Sequence, residues 1–200
     1  MPNQEVLLFL ICLFLKVNTS HMIHLHATRK VLNLGKIDGK TMITLQPEDQ
    51  ELQNWYVTIM GSSFRGKMLV LYIHEPSLIT IITRGKTIRK TYPEFEIRLK
   101  NLLQRFRFPE HFIENELTFL DEMVIGKTTN KSMLGYINQI VYLLDYWVYD
   151  NRDYESINLD DLENKMMSHL SSSKNTAGFI TPINFWEKKL DCKLVSFDKW

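Results

Sequence analysis

Three Gly-Lys-Thr triplets are the first residues of this sequence that could do chemistry, because such a triplet can end a phosphate-binding loop. That loop needs another glycine five residues before the glycine of the triplet, so that backbone N–H groups turn towards the phosphates. At residues 126–128 this position is Asp121, whose carboxylate would repel a nucleotide, and at residues 85–87 it is Thr80. Before the remaining triplet, Gly35 lies one residue too close. We therefore predict no nucleotide site of this kind and no cofactor.

Metal binding and nucleophilic catalysis have little support. His24 and His26 are two positions apart, so on a strand they share a face, but no third ligand follows at a telling spacing. No Gly-x-Ser-x-Gly motif occurs, and neither Cys12 nor Cys192 has a histidine close to it in sequence. We predict no metal site and no catalytic residue. The two cysteines form no disulfide framework, and we expect a reducing, cytoplasmic location.

The composition indicates a folded protein of ordinary size. The chain has 200 residues, of which 44% are hydrophobic and 12% aromatic, which is enough for a packed core. Its net charge of +1 gives no overall attraction to nucleic acid or to a membrane surface.

Residues 1–21 form an apolar N-terminal extension. Its uninterrupted apolar run, residues 6–15, is far shorter than the ~20 residues that span a bilayer. Three interpretations stay open: a translation start placed too early, with Met22 as the true start; a weak secretion signal; or a peripheral hydrophobic helix. We place a single domain at 22–190 and a C-terminal tail at 191–200.

Hydrophobic periodicity predicts the helices and strands that position the candidate residues. Residues 22–28 alternate like a strand, and a short helix follows over 29–34. Three β-rich runs with short, turn-rich connections predict an antiparallel meander; they cover residues 55–60, 68–73 and 78–83. Further helices are predicted from a capping box at 91–94 to Pro109, and over 110–120, 132–148, 158–170 and 182–190, with a short strand at 123–127. The expected fold class is α+β, a mostly antiparallel β-sheet packed against several helices.

Charge is unevenly distributed along the chain. Residues 84–107 are rich in lysine and arginine, whereas residues 145–163 are rich in aspartate and glutamate. The basic block could form a surface for nucleic acid or an acidic partner. We favour the other interpretation, in which the acidic block packs beside it or both blocks are solvated.

A polar segment links the strand at 123–127 to the next helix. Thr129 or Ser132 can cap this helix, and Gly135 in its first turn implies close approach by another backbone or a ligand. Asn130, Ser132 and Asn138, which we call the polar corner, could cluster around the helix N-terminus, a place suited to anions. The alternative is that these polar groups satisfy one another and only fix the strand–helix junction.

The same segment resembles a known motif. Thr-Asn-Lys-Ser-Met-Leu-Gly-Tyr-Ile-Asn, at residues 129–138, resembles the Asn-Arg-Ser-Val-Leu-Gly-Ser-Met-Asn-Asp motif of DUF6933, a bacterial family known only as a domain of unknown function. Met-Ile-His-Leu-His-Ala-Thr-Arg-Lys, from Met22, is similar to the family's opening strand, and Trp55 to its tryptophan at the first central strand. Lys131 replaces the usual arginine and Gln139 the usual aspartate, which argues against an acid–base role. The resemblance implies no activity.

We therefore predict a small bacterial domain that binds a protein or nucleic-acid partner without catalysis of its own; its oligomeric state is left open. The predicted binding surface comprises Asn130, Lys131, Ser132 and Asn138, with Trp55 and the basic block as second choice. The alternative is a hydrolase or nuclease that uses the polar corner. A third possibility is an accessory protein acting through hydrophobic contacts, which exposed tyrosines at 142, 146 and 149 would favour.

Overall fold

The structure is a computed structural model that describes residues 22–37, 52–61, 64–149, 151, 153–172 and 179–195. The predicted extension at 1–21 lies outside the described residues, as do the last five residues of the predicted tail.

A five-stranded sheet forms the centre of the described chain. Its strands are β1 (Ile23–Ala27), β2 (Asn54–Gly61), β3 (Met68–His74), β4 (Thr80–Arg84) and β5 (Met123–Lys127). They lie in the order β4-β3-β2-β1-β5. The α+β class is confirmed, and β2, β3 and β4 form the predicted antiparallel meander.

The sheet is mixed, and this corrects the expectation of a mostly antiparallel one. Strand β1 pairs in parallel with β2 on one side and with β5 on the other. Parallel neighbours need a long crossover instead of a tight turn, and helical segments follow β1 and precede β5. The expectation of an antiparallel sheet rested on short connections between strands, and these join β2 to β3 and β3 to β4, the strands of the meander.

Six α-helices surround the sheet in the described residues. They are α1 (Arg29–Gly35), α2 (Ile88–Arg105), α3 (Glu110–Leu117), α4 (Lys131–Val148), α5 (Leu159–Ser168) and α6 (Pro182–Leu190). A 3-10 turn (Thr118–Leu120) and a two-stranded hairpin, β6 (Ser171–Ser172) with β7 (Phe179–Ile180), complete them. No described helix combines the length and the apolar character needed to cross a membrane.

Helix α2 begins earlier than its sequence indicates. Its N-cap is Thr87, so Pro93 lies inside the helix and not in the first turn. Thr91, predicted as the cap, is buried, and its hydroxyl lies 2.8 Å from the Tyr72 hydroxyl. Tertiary contact therefore draws Thr91 into the core, and the capping box is a wrong prediction.

Two hydrophobic layers cover the two faces of the sheet. On one face lies the apolar stripe of α2 and its C-cap, in which Phe95, Leu99, Leu102 and Phe106 are all 0% exposed. On the other face lie α4 and α5, whose buried residues include Ile137, Leu144 and Met166. Burial on both faces explains why every residue of β1 is buried instead of alternating. Leu170, the last residue of the helix predicted over 158–170, is 57% exposed because α5 ends at Ser168.

The acidic block packs against the basic block, as the favoured interpretation predicted. Ion pairs join Arg84 to Glu155, Arg98 to Asp160 and Glu163, and Arg105 to the same two carboxylates. Several of the arginines that could have contacted phosphates are thus bound within the chain.

Candidate binding surface on helix α4

Asn130 is the N-cap of α4, which corrects the prediction of Thr129 or Ser132. Its Oδ1 accepts hydrogen bonds from the backbone N–H groups of Ser132 (3.0 Å) and Met133 (3.2 Å). Its Nδ2 donates to Glu75 Oε1 at 3.1 Å. An asparagine side chain accepts on Oδ1 and donates from the separate Nδ2, so Asn130 satisfies the helix end and also ties it to Glu75, directly after β3.

A polar cluster lies at this cap; we call it the junction cluster, and it comprises the buried residues His26, Asn54 and Tyr56 with the partly buried Glu75 and Asn130. The His26 ring stacks on Tyr56 with centroids 4.7 Å apart, and its Nε2 lies 3.4 Å from Asn54 Oδ1. Burial lowers the pKa of His26, while Asn54 opposes the shift. Burial, reinforced by Glu75, raises the pKa of Tyr56. Both rings are therefore neutral at pH 7, and they pack as parts of the strand–helix junction.

His24 and His26 share a face of β1, as predicted, and both are buried. Among the described residues, no group of three or more histidine, cysteine, aspartate or glutamate side chains is placed to hold a metal ion.

The polar corner does not cluster at the helix N-terminus. Asn138 lies eight residues beyond Asn130, which is roughly 12 Å along the helix axis. Ser132 and Asn138 are exposed, while the Asn130 side chain is committed to the cap. Gly135 is exposed too, and a Cβ built there would meet no atom within 4 Å, so the predicted close approach is absent from the described structure.

Trp55 lies in the core and not on the surface. It is 0% exposed, it packs edge-on against Phe95 at 5.0 Å, and its indole N–H donates to the carbonyl of Leu52. Its assignment to the binding surface is therefore corrected.

The solvent side of α4 carries an unusual set of residues, which we call the α4 outer face. It consists of Lys131, Gly135, Asn138, Tyr142, Tyr146 and Tyr149, which share one side of the helix by their spacing. The three tyrosines are 80%, 74% and 73% exposed, respectively. The face thus contains two of the predicted site residues, Lys131 and Asn138. It also contains the tyrosines whose exposure the hydrophobic-contact hypothesis required.

An open depression of about 450 Å³ borders the α4 outer face. It is lined by Asn138, Gln139, Tyr142, Leu143 and His169. Burial lowers the pKa of His169, so the lining carries no charge at pH 7. Two amides, a phenol and an imidazole suit a partner side chain that is partly apolar and makes hydrogen bonds. Sequence reasoning missed His169, because it reaches this place only through the turn after α5.

Replacing Asn130 by alanine is expected to lower the free energy of unfolding by about 1 kcal/mol, within the ~0.5–2 kcal/mol range of N-cap losses. The change removes both bonds to the first turn and the bond to Glu75. Urea unfolding followed by circular dichroism measures it. Ser132→Ala is the control, expected to change stability by less than ~0.5 kcal/mol because Ser132 is exposed. Equal losses in the two variants would contradict the assignment of the cap.

Comparison with known proteins gives one informative match. The sequence model of a family described as "Domain of unknown function (DUF6933)" matches residues 24–185. No curated protein matches the chain. One similar solved chain comes from the "CryoEM structure of simian T-cell lymphotropic virus intasome in complex with PP2A regulatory subunit B56 gamma". It is 15% identical with a TM-score of 0.37, and the match covers 84% of this chain and 66% of that one, just under two thirds. So low a TM-score supports no conclusion about fold or function.

Proposed function

The chain belongs to the DUF6933 family, and from that premise we propose that it is an interaction domain that binds a partner protein through the α4 outer face. The observation that carries the proposal is the exposure of Tyr142, Tyr146 and Tyr149 on one side of a single helix.

Tyrosine on a solvent-facing helix side favours contact with another protein. A helix side that meets only water usually carries charged and polar residues. Tyrosine offers a large apolar ring and a hydrogen-bonding hydroxyl while losing few rotamers on binding, and it is enriched at protein interfaces. Leu170, exposed beside His169, extends the apolar area, and a 3.1 Å contact between the hydroxyls of Tyr136 and Ser171 holds this segment against α4.

The charge of the α4 outer face favours protein over nucleic acid as the partner. Nucleic-acid affinity depends on several lysine or arginine contacts to phosphates. Lys131 is the single cation of the α4 outer face. Asp145, which is also exposed, borders this face near the C-terminal end of the helix. The arginines paired with the acidic block lie on α2 and β4, and α2 packs on the opposite face of the sheet.

The hydrolase or nuclease alternative receives less support. An enzyme needs a base in an accessible cleft near the groups that bind the substrate. Glu75 lies within hydrogen-bond distance of Asn130, but the His26 and Tyr56 rings beside it are 4% and 2% exposed. The other two residues of the polar corner point away from this cluster into solvent.

Replacing Tyr142 by aspartate is expected to abolish co-purification of the partner while leaving stability within ~0.5 kcal/mol of the wild type, since the side chain is 80% exposed. The measurement is affinity purification of the full chain from extracts of its source cells, with the bound proteins quantified. Ile97→Asp is the matched control, because Ile97 is also a large exposed hydrophobic residue, at 63%, but lies on α2. A bound set that is the same for the wild type and both variants would refute the proposal.

A further inference from the structure

We propose that the partner on the α4 outer face is a second copy of this chain, packed antiparallel about a two-fold axis at Tyr142. This inference rests on the proposed function, because it identifies the partner of the same face.

Five of the six residues of the α4 outer face are spaced symmetrically about Tyr142. Gly135 and Asn138 precede it by seven and four residues, and Tyr146 and Tyr149 follow it by four and seven. In an antiparallel pair with a two-fold axis, each residue meets the residue equally far beyond the axis in the other copy. Gly135 therefore meets Tyr149 of the second copy, Asn138 meets Tyr146, and Tyr142 meets its own equivalent.

These pairs are complementary in shape and polarity. The space outside Gly135 is open, so the ring of Tyr149 from the second copy can lie directly on the helix backbone. The Asn138 amide meets a phenol that can both donate and accept a hydrogen bond. The two Tyr142 rings meet at the axis, where an offset stack of aromatic rings is favourable.

The charges along α4 select the antiparallel direction. Lys127 and Lys131 lie at its N-terminal end, while Asp145 and Asp153 lie at or beyond its C-terminal part. All four are exposed, and none forms an ion pair with another described residue. Antiparallel packing brings the basic end of one copy to the acidic end of the other, whereas parallel packing would bring like charges together. The same direction also opposes the two helix dipoles favourably.

The size of the contact indicates a reversible dimer. Helix α4 has 18 residues, so it is roughly 27 Å long. Two such helices side by side bury less than the ~1,600 Å² of a standard stable interface. We therefore expect a dimer whose population rises with concentration.

Gln139 provides a test of the register. It lies three residues before Tyr142, and Asp145 lies three after, so Gln139 is level with Asp145 of the second copy across the contact twice in each dimer. Gln139→Lys should tighten the dimer and Gln139→Glu should weaken it, each by roughly two- to thirtyfold in dissociation constant. Both changes are at one exposed position of the same helix, so each is the other's control. Sedimentation velocity of the full chain over a wide concentration range measures the constants.

Cysteine cross-linking tests the position of the axis. In a background with Cys12→Ser and Cys192→Ser, Tyr142→Cys places two thiols at the axis and should give a disulfide-linked dimer under mild oxidation. Asn138→Cys faces position 146 of the second copy and should cross-link much more slowly. A dimer that forms with the expected order of affinities and cross-links at position 142 supports the proposal.

Other outcomes overturn it. A dimer insensitive to Gln139→Glu, or cross-linked as fast at 138 as at 142, uses another surface or register. A wild type that is monomeric throughout, yet captures another protein through Tyr142, excludes the second copy and leaves the proposed function standing. A monomer that captures nothing through Tyr142 removes both.

Discussion

Replacing Glu163 by alanine lowers the free energy of unfolding by about 3–5 kcal/mol, the usual loss when one partner of a buried ion pair is removed. The Glu163 side chain is 0% exposed and sits between α5, α2 and the sheet. Its carboxylate accepts hydrogen bonds from Arg98 Nε (2.9 Å), Arg105 Nη2 (3.1 Å) and the backbone N–H of Ile82 (3.0 Å). Alanine leaves two largely buried guanidinium groups and a buried strand N–H without their shared acceptor.

Arg98 and Arg105 counteract the unfavourable effect of burying the Glu163 carboxylate. Burial raises the pKa of Glu163, while the hydrogen bonds and positive charge of Arg98, the Ile82 N–H and the charge of Arg105 act in the opposite direction. Asp160, which is 58% exposed, also contacts both arginines but is well solvated, so it cannot replace Glu163 at Ile82.

Glu155 provides the matched control for Glu163. It pairs with Lys67 at 3.4 Å and with Arg84 at 3.7 Å, but its side chain is 70% exposed. Exposed ion pairs contribute at most ~1 kcal/mol, so Glu155→Ala should change stability little. Urea denaturation of the two variants measures the difference. If Glu163→Ala lost no more stability than Glu155→Ala, the network would be only a surface ion pair and the description of α5 docking would be wrong.

Local periodicity predicted the elements well where burial on one side imposes it. Helix α4 begins one residue before its predicted start and ends where predicted, because its core residues recur every three or four positions. Strand β5 has its predicted bounds, and the meander follows from its short connections. These features depend on residues that are close to one another in sequence, so one sequence is enough to predict them.

Features set by distant residues could not be predicted in this way. The sequence of β1 carries no signal that its partners β2 and β5 run in the same direction. The direction of pairing depends on where the intervening helices bring the chain back to the sheet. Thr129, Asn130 and Ser132 are all good capping residues, and the contact that distinguishes Asn130 is with Glu75, 55 positions away. The start of α2 was missed for the same reason, because Thr91 is held by Tyr72 of β3.

Two of the five residues predicted for the binding surface, Lys131 and Asn138, lie on the α4 outer face. Helical spacing would have placed Lys131, Asn138 and the three tyrosines on one side of α4, and their shared exposure follows from the opposite side being apolar. Gly135, whose helix propensity is low, was predicted to mark close approach by another backbone or a ligand, and no other part of the described chain lies within 4 Å of a Cβ built there. The structure has an open surface there, and this is the feature on which the proposed contact with Tyr149 of a second copy depends.

Replacing Trp55 by alanine is expected to destabilise the protein by about 3–5 kcal/mol, as for other buried aromatic side chains. The indole fills space between Phe95 of α2 and His74 of β3, with ring centroids 5.0 Å and 5.3 Å away. Alanine leaves a cavity at the centre of the sheet and removes the donor to the Leu52 carbonyl, which is buried. Chemical denaturation measures the loss.

Tyr146→Ala is the control that separates a core tryptophan from a binding aromatic residue. Its side chain is 74% exposed, so its removal should leave stability within ~0.5 kcal/mol while weakening partner binding. Trp55→Ala should do the reverse under conditions where the variant stays folded: lower stability, with binding unchanged per folded molecule. If Trp55→Ala instead left the unfolding midpoint unchanged and abolished binding, Trp55 would belong to the binding surface after all, and the assignment of that surface to the outer side of α4 would be wrong.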